Sequence, residues 1–174
     1  MQEDRRTMLG VSELSHVDES GSVRMVNVGA KPLSRRRAVA SARVEMAADT
    51  ARRLRDLPKG DALATAQLAG IMAAKRTAEL IPLCHPLPLT DVQVSLAVDD
   101  ALPGVRAEAS ARTTGKTGVE MEAITAVAVA LVTVYDMAKA IDRGMAIGDV
   151  RLEEKRGGKS GVWLRSQGDS APSA

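Results

Sequence analysis

The sequence predicts an α+β domain in which helices cover one face of an antiparallel sheet. Short segments that alternate apolar and polar residues are typical of strands with one face in a core, and longer apolar segments with recognisable helix ends separate them. These segments follow one another as strand, helices, strand, strand, helix and strand, an order that places the helices on a single face of the sheet. A length of 174 residues suffices for one such domain but not comfortably for two.

The first strand and the first helix are expected in residues 23–56. Residues 23–28 alternate apolar and polar side chains, which predicts a short half-buried strand. Ser34 is a candidate N-cap for a helix that runs to about Asp56, because a serine side chain accepts hydrogen bonds from the free N–H groups at a helix start. The Leu-Pro-Lys-Gly segment at 57–60 would end that helix.

A second helix and a rigid loop are expected next. Asp61 is a candidate N-cap for a helix rich in alanine and leucine that runs to about Leu80. Three prolines within residues 82–88 restrict the backbone and predict an extended loop around Cys84 and His85.

Two paired strands and a long helix follow. The strands are expected at residues 90–98 and 104–112, joined by the turn residues Asp-Asp and Pro-Gly. Thr117, with Glu120 three positions later, forms a capping-box pattern. A long helix should therefore begin there and run to about Ile141.

Two closing strands, at residues 146–155 and 161–165, flank a basic loop rich in glycine. The complete order is βαββαβ, the layout of ferredoxin-like folds. The folded domain should span residues 16–165. Residues 1–15 and 166–174 are polar or small and are expected to be flexible tails.

Composition indicates a soluble, cytoplasmic protein. Cys84 is the only cysteine, so no intrachain disulfide can form and a reducing compartment is the natural setting. Residues 1–15 carry charges of both signs and no apolar segment, unlike a secretory signal. The longest apolar run, residues 123–134, is too short to span a bilayer. A net charge of +2 is too small for a general polyanion binder, although local basic clusters could serve one phosphorylated ligand.

The long helix after Gly118 predicts self-association. Its apolar residues do not fit one narrow stripe, and in a two-layer domain the sheet covers only one side of a helix. The remaining apolar side would need a partner, and a second copy of the chain is the expected one.

Asp136 and Lys139 are the most informative pair of charges in the chain. They stand one helical turn apart, near the end of a helix that otherwise reads as buried, so both project from one face. Buried ions are costly unless they are paired or used in function. The pair is therefore either a structural ion pair near a helix end or part of a functional site.

Lys59, Cys84 and His85 are further candidates. Lys59 lies between helix breakers just before a helix N-terminus, where it is either a solvated surface lysine or a functional cation. Adjacent cysteine and histidine side chains seldom pair as nucleophile and base, and one cysteine with two histidines is a weak basis for a zinc site. Their loop either packs against the domain or contacts a ligand.

Residues 113–122 form a polar loop that enters a helix N-terminus, which is a general anion site. Gly-Lys-Thr at 115–117 resembles the end of a phosphate loop, but serine occupies position 110, where that motif needs glycine, so the motif fails. Glu120 and Glu122 would oppose an anion. They suit instead the amide and amine edge of a purine or a pterin.

Two basic segments suit phosphate groups. Residues 155–161 form a basic loop that either binds a polyphosphate or is a mobile charged hairpin. Residues 35–37 are three arginines, a cluster that is also common at solvated helix starts. Taken together, the candidate segments offer several lysines, two or three carboxylates and one histidine, without metal-ligand spacing or a redox-cofactor fingerprint. That set fits acid–base chemistry on a phosphorylated compound.

In order along residues 16–165, these motifs resemble those of the MoaC-type cyclic pyranopterin monophosphate synthases of molybdenum cofactor biosynthesis. The combination is highly specific. The segments that carry the resemblance are Lys59-Gly60-Asp61, Ala73-Ala74-Lys75-Arg76-Thr77, Ile81-Pro82-Leu83-Cys84-His85-Pro86, Thr114-Gly115-Lys116-Thr117-Gly118-Val119-Glu120-Met121-Glu122-Ala123, Tyr135-Asp136-Met137 with Lys139, and Gly157-Gly158-Lys159-Ser160-Gly161.

The resemblance implies an enzyme that converts a cyclised dihydro-GTP intermediate, the product of a preceding radical enzyme, to cyclic pyranopterin monophosphate with release of pyrophosphate. It also implies a ferredoxin-like subunit, a hexamer of three dimers, and active sites shared across each dimer interface. No cofactor is required, because no electrons are transferred, although Mg²⁺ can accompany the triphosphate. The expected partner is this small-molecule substrate, with neither nucleic acid nor membrane.

The resemblance implies roles for single residues as well. Lys59 and Lys139 match two lysines in acid–base work, with pKa values expected to be lowered by a cationic neighbourhood. Asp136 matches the catalytic aspartate, which can hold the Lys139 amine in place and tune its pKa. A second set matches substrate-binding positions, with the last two near the triphosphate: Leu83, Cys84, His85, Met121, Glu122, the adjacent Glu120, Arg36 and Lys155.

Two alternatives are open. A non-catalytic nucleotide-binding module of the same fold would bind its ligand without turnover and would not need Lys59 or Lys139. Ferredoxin-like sheets also bind RNA by stacking bases on strand aromatics. The expected strands before residue 160 contain no aromatic residue, and Trp163 stands alone, which argues against an RNA-binding protein.

Overall fold

The computed structural model describes residues 23–54, 57 and 60–166. The strands are β1 (Ser34–Glu45), β2 (Leu89–Asp99), β3 (Gly104–Gly115), β4 (Ala146–Arg156) and β5 (Val162–Leu164). The helices are α1 (Ala48–Arg53), α2 (Ala62–Lys75), α3 (Thr77–Leu80) and α4 (Glu120–Ala138). The expected tails fall outside the described residues, except for Ser166.

The described strands form one antiparallel sheet in the order β2-β3-β1-β4-β5. β1 and β3 pair over their full length, from Ser34 opposite Gly115 to Glu45 opposite Gly104. β4 pairs with the other edge of β1 through two register irregularities, and β5 adds a short outer strand. The predicted α+β, ferredoxin-like arrangement is confirmed, as are the strands expected near 90–98, 104–112, 146–155 and 161–165.

The core lies between the sheet and the two longer helices, α2 and α4, and it is built largely from alanine and valine. Every second residue of β1 from Ala38 to Val44 is buried in it. These small side chains let α2 and α4 approach each other closely. A Cβ atom on Gly70 of α2 would lie only 2.9 Å from the carbonyl oxygen of Ala126 in α4.

α4 is the central helix of this layer. Among the described helices it alone is long and apolar enough to cross a membrane, but half of that segment is buried inside the protein itself, as in the core helix of a globular domain. α2 covers one side of α4, so the spare apolar surface is narrower than the sequence suggests. Val132 of α4 remains exposed, as do Leu68 and Met72 of α2. Self-association stays a prediction.

The strand expected at 23–28 and the helix expected from Ser34 to Asp56 are both wrong. Residues 24–28 have no regular structure, and β1 occupies Ser34–Glu45 instead. Only the end of the expected helix exists, as α1. Alanine and arginine dominate this stretch and favour a helix locally. Pairing with β3 on one side and β4 on the other satisfies the backbone along both edges and overrides that preference.

The predicted helix ends are partly confirmed. Asp61 caps α2, since its carboxylate accepts from the backbone N–H groups of Leu63 and Ala64 at 2.9 and 3.0 Å. The capping box at Thr117 is wrong, because α4 begins after Val119 without a side-chain cap. The second helix is divided at Arg76 into α2 and α3, and α4 ends at Ala138 rather than near Ile141.

Candidate active site

The antiparallel pairing of β1 defines two ends of the domain. At one end, the start of β1 lies beside the ends of β3 and β4, and α4 begins soon after β3. We term this the Arg36 end. At the other end β1 finishes, α2 begins shortly afterwards, and α4 finishes. We term this the Lys139 end. The predicted site residues divide between these two ends.

The Arg36 end gathers most of the predicted substrate-binding residues. α2 runs back from the far end of the sheet, so the loop after α3 arrives here, where Thr113 Oγ1 of β3 donates to the carbonyl of Pro88 at 2.7 Å. The residues that this end brings together are Arg36, Leu83, Cys84, His85, Glu120, Met121, Glu122 and Lys155.

Glu122 is the buried carboxyl group of this end. It lies in the first turn of α4 with only 4% of its surface exposed. Burial raises its pKa to about 7, and the negative charge of Glu120 adds to the rise, while a backbone hydrogen bond opposes it. This carboxyl can therefore hold or release a proton near neutral pH.

Cys84 faces the same carboxyl. Burial, and then the charge of Glu122, raises the pKa of the Cys84 thiol above its ordinary value. The thiol is therefore protonated at neutral pH and lacks the depressed pKa of a nucleophilic cysteine. Cys84 contributes a packing surface beside Glu122 rather than thiolate chemistry.

Lys155, at the end of β4, is held between two oxygen atoms. Its Nζ lies 4.0 Å from Oε1 of Glu120 and donates a hydrogen bond to Oγ of Ser160. Its side chain is only 21% exposed, so it is not a freely solvated surface lysine. The ammonium group therefore has a defined position at the start of α4.

Arg36 has an unsatisfied donor. Its Nη2 donates to the carbonyl of Lys116 at 3.3 Å, whereas its Nε is buried without a hydrogen-bond partner in the described part of the chain. The Nζ of Lys116 in turn donates to the carbonyl of Gly29 at 2.5 Å. A buried donor without an acceptor is costly, and an anionic oxygen at this position would remove that cost.

His85 contacts the segment that precedes β1. Its Nε2 lies 2.8 Å from the carbonyl oxygen of Val26, so this nitrogen carries the proton and donates it. The ring is half-buried. A ligand would therefore contact His85 through Nδ1 or through the ring face.

The Lys139 end holds the paired charges. Lys139 Nζ lies 2.6 Å from Oδ1 of Asp136, so the predicted pairing one helical turn apart is confirmed. The burial expected for it is wrong: the two side chains are 53% and 60% exposed, because α4 is ending and Lys139 is its C-cap. The hydrogen bond that Lys139 donates to Asp136 is the main cause that raises the pKa of Lys139, and the negative charge of Asp136 is the next. The sequence had predicted a lowered pKa instead.

The two ends are far apart within one copy of the chain. Glu120 and Asp136 are separated by 16 positions of one helix, which corresponds to roughly 24 Å. Lys59 lies outside the described residues, but it immediately precedes Gly60 and Asp61, which lead into α2 at the Lys139 end. One chain therefore presents two half-sites that do not meet.

Sequence reasoning missed one cation of the Arg36 end, Arg112, and did not foresee that Arg156 would join the three arginines of β1. A groove of about 410 Å³ lies along the ends of β1 and β3 and the start of β2, and its basic lining comes from Arg35, Arg36, Arg37, Arg112 and Arg156. Arg112 and Arg156 are distant in sequence from the arginine cluster. Only strand pairing brings them beside it.

The carboxylates of the Arg36 end do not form a metal cage. No group of three or more His, Cys, Asp or Glu side chains is placed to hold a metal ion in residues 23–54 and 60–166. Glu122 is buried with a raised pKa, and Glu120 faces Lys155. A magnesium ion at this end would take its oxygen ligands mainly from a bound triphosphate.

Known proteins share this sequence over most of its length. The model of the family described as the MoaC family matches residues 25–158. A protein of Roseiflexus castenholzii named cyclic pyranopterin monophosphate synthase is 60% identical over 153 residues, which are 87% of this chain and 97% of the relative. Relatives with the same name in Heliobacterium modesticaldum and Parvibaculum lavamentivorans are 57% and 55% identical to this chain. Each match covers 88% of this chain, and the matches cover 98% and 97% of the two relatives' lengths, respectively.

These matches extend through both half-sites, from the strand that carries Arg36 to the turn after Lys155. Identity at this level over nearly the whole of each relative goes well beyond a shared fold. Together with the ferredoxin-like sheet and the two groups of charged residues, it places the chain among known proteins: the chain belongs to the MoaC family.

Proposed function

We propose that the chain is a cyclic pyranopterin monophosphate synthase, an enzyme of molybdenum cofactor biosynthesis. It takes the cyclised dihydro-GTP intermediate as its small-molecule substrate and releases cyclic pyranopterin monophosphate and pyrophosphate. The observation that carries the proposal is the 60% identity, over 97% of the relative's length, to a protein of that name. The two half-sites support it, since together they hold every described residue of the expected site.

The half-sites favour an active site shared between two chains. A separation of roughly 24 Å along α4 is too long for one nucleotide-sized substrate to bridge. We infer that the Lys139 end of one copy meets the Arg36 end of another. We propose a dimer with such composite sites, assembled further into a hexamer of three dimers in the cytoplasm.

The Arg36 end would bind the substrate. Arg36 and Lys155 face the triphosphate, and the unsatisfied Nε of Arg36 gives it a donor for a phosphate oxygen. Glu120 and Glu122 face the amide and amine edge of the purine-derived ring. The walls of this half-site are completed by Leu83, Cys84, His85 and Met121. No cofactor is required, although Mg²⁺ can accompany the triphosphate.

The Lys139 end would move protons. The ion pair with Asp136 keeps Lys139 as an ammonium ion, the form that can donate a proton to a nitrogen or oxygen of the ring being opened. Lys59 supplies the second amine of the acid–base pair. Closure of the cyclic phosphate expels pyrophosphate, and the cations of the Arg36 end offset the charge that develops on it.

A single-turnover assay with the cyclised dihydro-GTP intermediate tests the proposal. Pyrophosphate and the pterin product are followed for the wild type, Lys59→Ala and Lys139→Ala. Turnover by the wild type, and its loss in both variants with assembly intact, is the expected result. If the wild type binds the intermediate without turning it over, the chain is a nucleotide-binding module of the same fold.

A further inference from the structure

We propose that Gly158, in the turn between β4 and β5, is a positioning residue that holds the Arg36 guanidinium in place for phosphate binding. The inference rests on the proposed function, because it takes Arg36 as a contact for the triphosphate. It adds a residue that has no charge, hydrogen-bonding side chain or nucleophile of its own.

The backbone of Gly158 lies directly against the end of the Arg36 side chain. A Cβ atom at this position would lie 1.8 Å from Nη1 of Arg36 and 2.7 Å from its Cζ, both far inside contact distance. On another side of the guanidinium, Nη2 donates to the carbonyl of Lys116. The guanidinium is therefore held between one backbone segment after β3 and another after β4.

The turn that carries Gly158 is itself fixed. The N–H of Gly157 donates to the carbonyl of Gly161, and the N–H of Gly161 donates to the carbonyl of Gly158, each at 3.1 Å. A Cβ atom on Gly157 would lie 2.2 Å from the backbone oxygen of Arg35, so the turn packs directly on β1. The same turn presents Ser160 to Lys155. One turn thus sets the positions of both expected triphosphate cations.

Gly157 and Gly158, the two glycines of the turn that pack against Arg35 and Arg36, would respond differently to substitution. At position 157 the obstacle is backbone, which cannot move without disturbing the sheet. At position 158 the obstacle is the end of a flexible side chain, so an alanine there would displace Arg36 rather than unfold the turn. Gly158→Ala is therefore the informative variant.

Gly161 provides a matched control. Both Gly158 and Gly161 adopt a positive φ, +76° and +63°, so alanine at either position carries a similar backbone strain. Nothing lies within 4 Å of a Cβ atom at Gly161. A difference between Gly158→Ala and Gly161→Ala therefore reports the contact with Arg36 and not the strain of the turn.

The test measures binding of inorganic tripolyphosphate to the full-length protein by titration calorimetry. Gly158→Ala is expected to weaken affinity about tenfold, the order of one lost charge-assisted contact, and to match Arg36→Gln. Gly161→Ala should stay within about twofold of the wild type. In the double variant Gly158→Ala with Arg36→Gln, the glycine change should add nothing, because the side chain that it displaces is gone.

Several outcomes would overturn the inference. These are equal affinities of Gly158→Ala and Gly161→Ala, additive losses in the double variant, or no tripolyphosphate binding by the wild type. Gly158→Asn guards against misfolding, because asparagine tolerates a positive φ better than alanine and still carries the Cβ atom. It should weaken binding as Gly158→Ala does.

Turnover separates this inference from the proposed function. With the cyclised dihydro-GTP intermediate, Gly158→Ala should raise KM about tenfold and change kcat only as far as Arg36→Gln does, since it acts through the Arg36 guanidinium and leaves the Lys139 end untouched. If the wild type fails to turn over the intermediate, the proposed function fails. The tripolyphosphate series would still decide the role of Gly158.

Discussion

At the scale of single residues, the pKa values of Glu122 and Lys139 are both raised, but by different physical causes. Glu122 is perturbed by burial, which favours its neutral form, and Lys139 by a charged neighbour, which favours its ionised form. Burial is a property of the folded chain, whereas the neighbour of Lys139 is one helical turn away in sequence. Both effects can be tested by removing one side chain.

Glu122 should make the stability of the protein depend on pH. Its folded-state pKa of about 7 lies above the ordinary 4.5, so the folded state binds the proton more tightly. Stability should fall as pH rises from about 4.5 to about 7, by up to about 3 kcal/mol, and then level off. In Glu122→Gln this slope should disappear. Urea unfolding at pH 5 and pH 8 measures it.

Glu120→Gln is the control for that measurement, because Glu120 occupies the same turn but is only half-buried. It should retain most of the slope of the wild type. A wild type whose unfolding free energy is constant across this pH range would contradict the buried position of the Glu122 carboxyl.

Removing the charge of Asp136 should lower the pKa of Lys139 towards its ordinary value, because the hydrogen bond and the charge that raise it are lost. Under the proposed function, Asp136→Asn should also lower single-turnover rates about 100-fold or more. Carbon-13 resonances of the Lys139 side chain, followed against pH, report the first effect. Asp142→Asn is the control, since the Asp142 carboxylate accepts from the backbone N–H groups of Ala47 and Gly144. An unchanged Lys139 titration in Asp136→Asn would show that the pair does not form in solution.

At the scale of elements, the contact between α2 and α4 depends on small residues. Gly70 stands where α2 approaches the backbone of α4, and Ala126 and Ala130 line the facing surface. Both are fully buried. The close packing of α2 against α4 matters for the site, because these two helices together connect the Arg36 end with the Lys139 end.

Gly70→Ala should destabilise the protein although alanine is the better helix former. The gain in helix propensity is about 1 kcal/mol, whereas a Cβ atom 2.9 Å from the Ala126 carbonyl forces the helices apart at a cost of about 1–3 kcal/mol. Thermal unfolding should show a lower Tm than the wild type. Gly148→Ala, where nothing lies within 4 Å of the added atom, should leave Tm nearly unchanged. A higher Tm for Gly70→Ala would mean that the two helices do not pack this closely.

At the scale of the whole molecule, the proposed function requires two copies of the chain, because each copy presents two half-sites that do not meet. Lys139 and Arg36 lie at opposite ends of the folded domain. Neither end alone combines the expected proton carriers with the expected phosphate contacts. A composite site predicts that two inactive variants can rescue each other when each damages a different half.

Mixing Lys139→Ala with the double variant Arg36→Gln and Lys155→Ala should restore about a quarter of wild-type activity. In a two-fold dimer each site takes one half from each chain, so a mixed dimer has one intact site of two, and random assembly makes half of the dimers mixed. Single-turnover amplitude after joint refolding measures this. Mixing Lys139→Ala with Asp136→Ala, which damage the same half, should restore nothing. Equal failure of both mixtures would place the complete site within one chain.

The sequence by itself determined what depends on local pattern and on motif. The cap at Asp61, the strands β2 and β3, the order of the later elements and the pairing of Asp136 with Lys139 all follow from residues close together in the chain. The motifs also identified the family. These features are predictable because a turn, a cap or one helical turn is decided by neighbours.

The tertiary structure alone decided where β1 lies and how the site is divided. The residues of β1 favour a helix by local sequence, but they form a strand because β3 and β4 pair with its two edges. Strand pairing is a contact between segments that are distant in the sequence, so local pattern does not predict it. Contacts between distant segments also determine three features of the site: the burial of Glu122, the exposure of Lys139 and the contact of Arg36 with Gly158. Each depends on which segments meet in space. The order of residues fixes which chemical groups are present, and packing fixes which of them face one another.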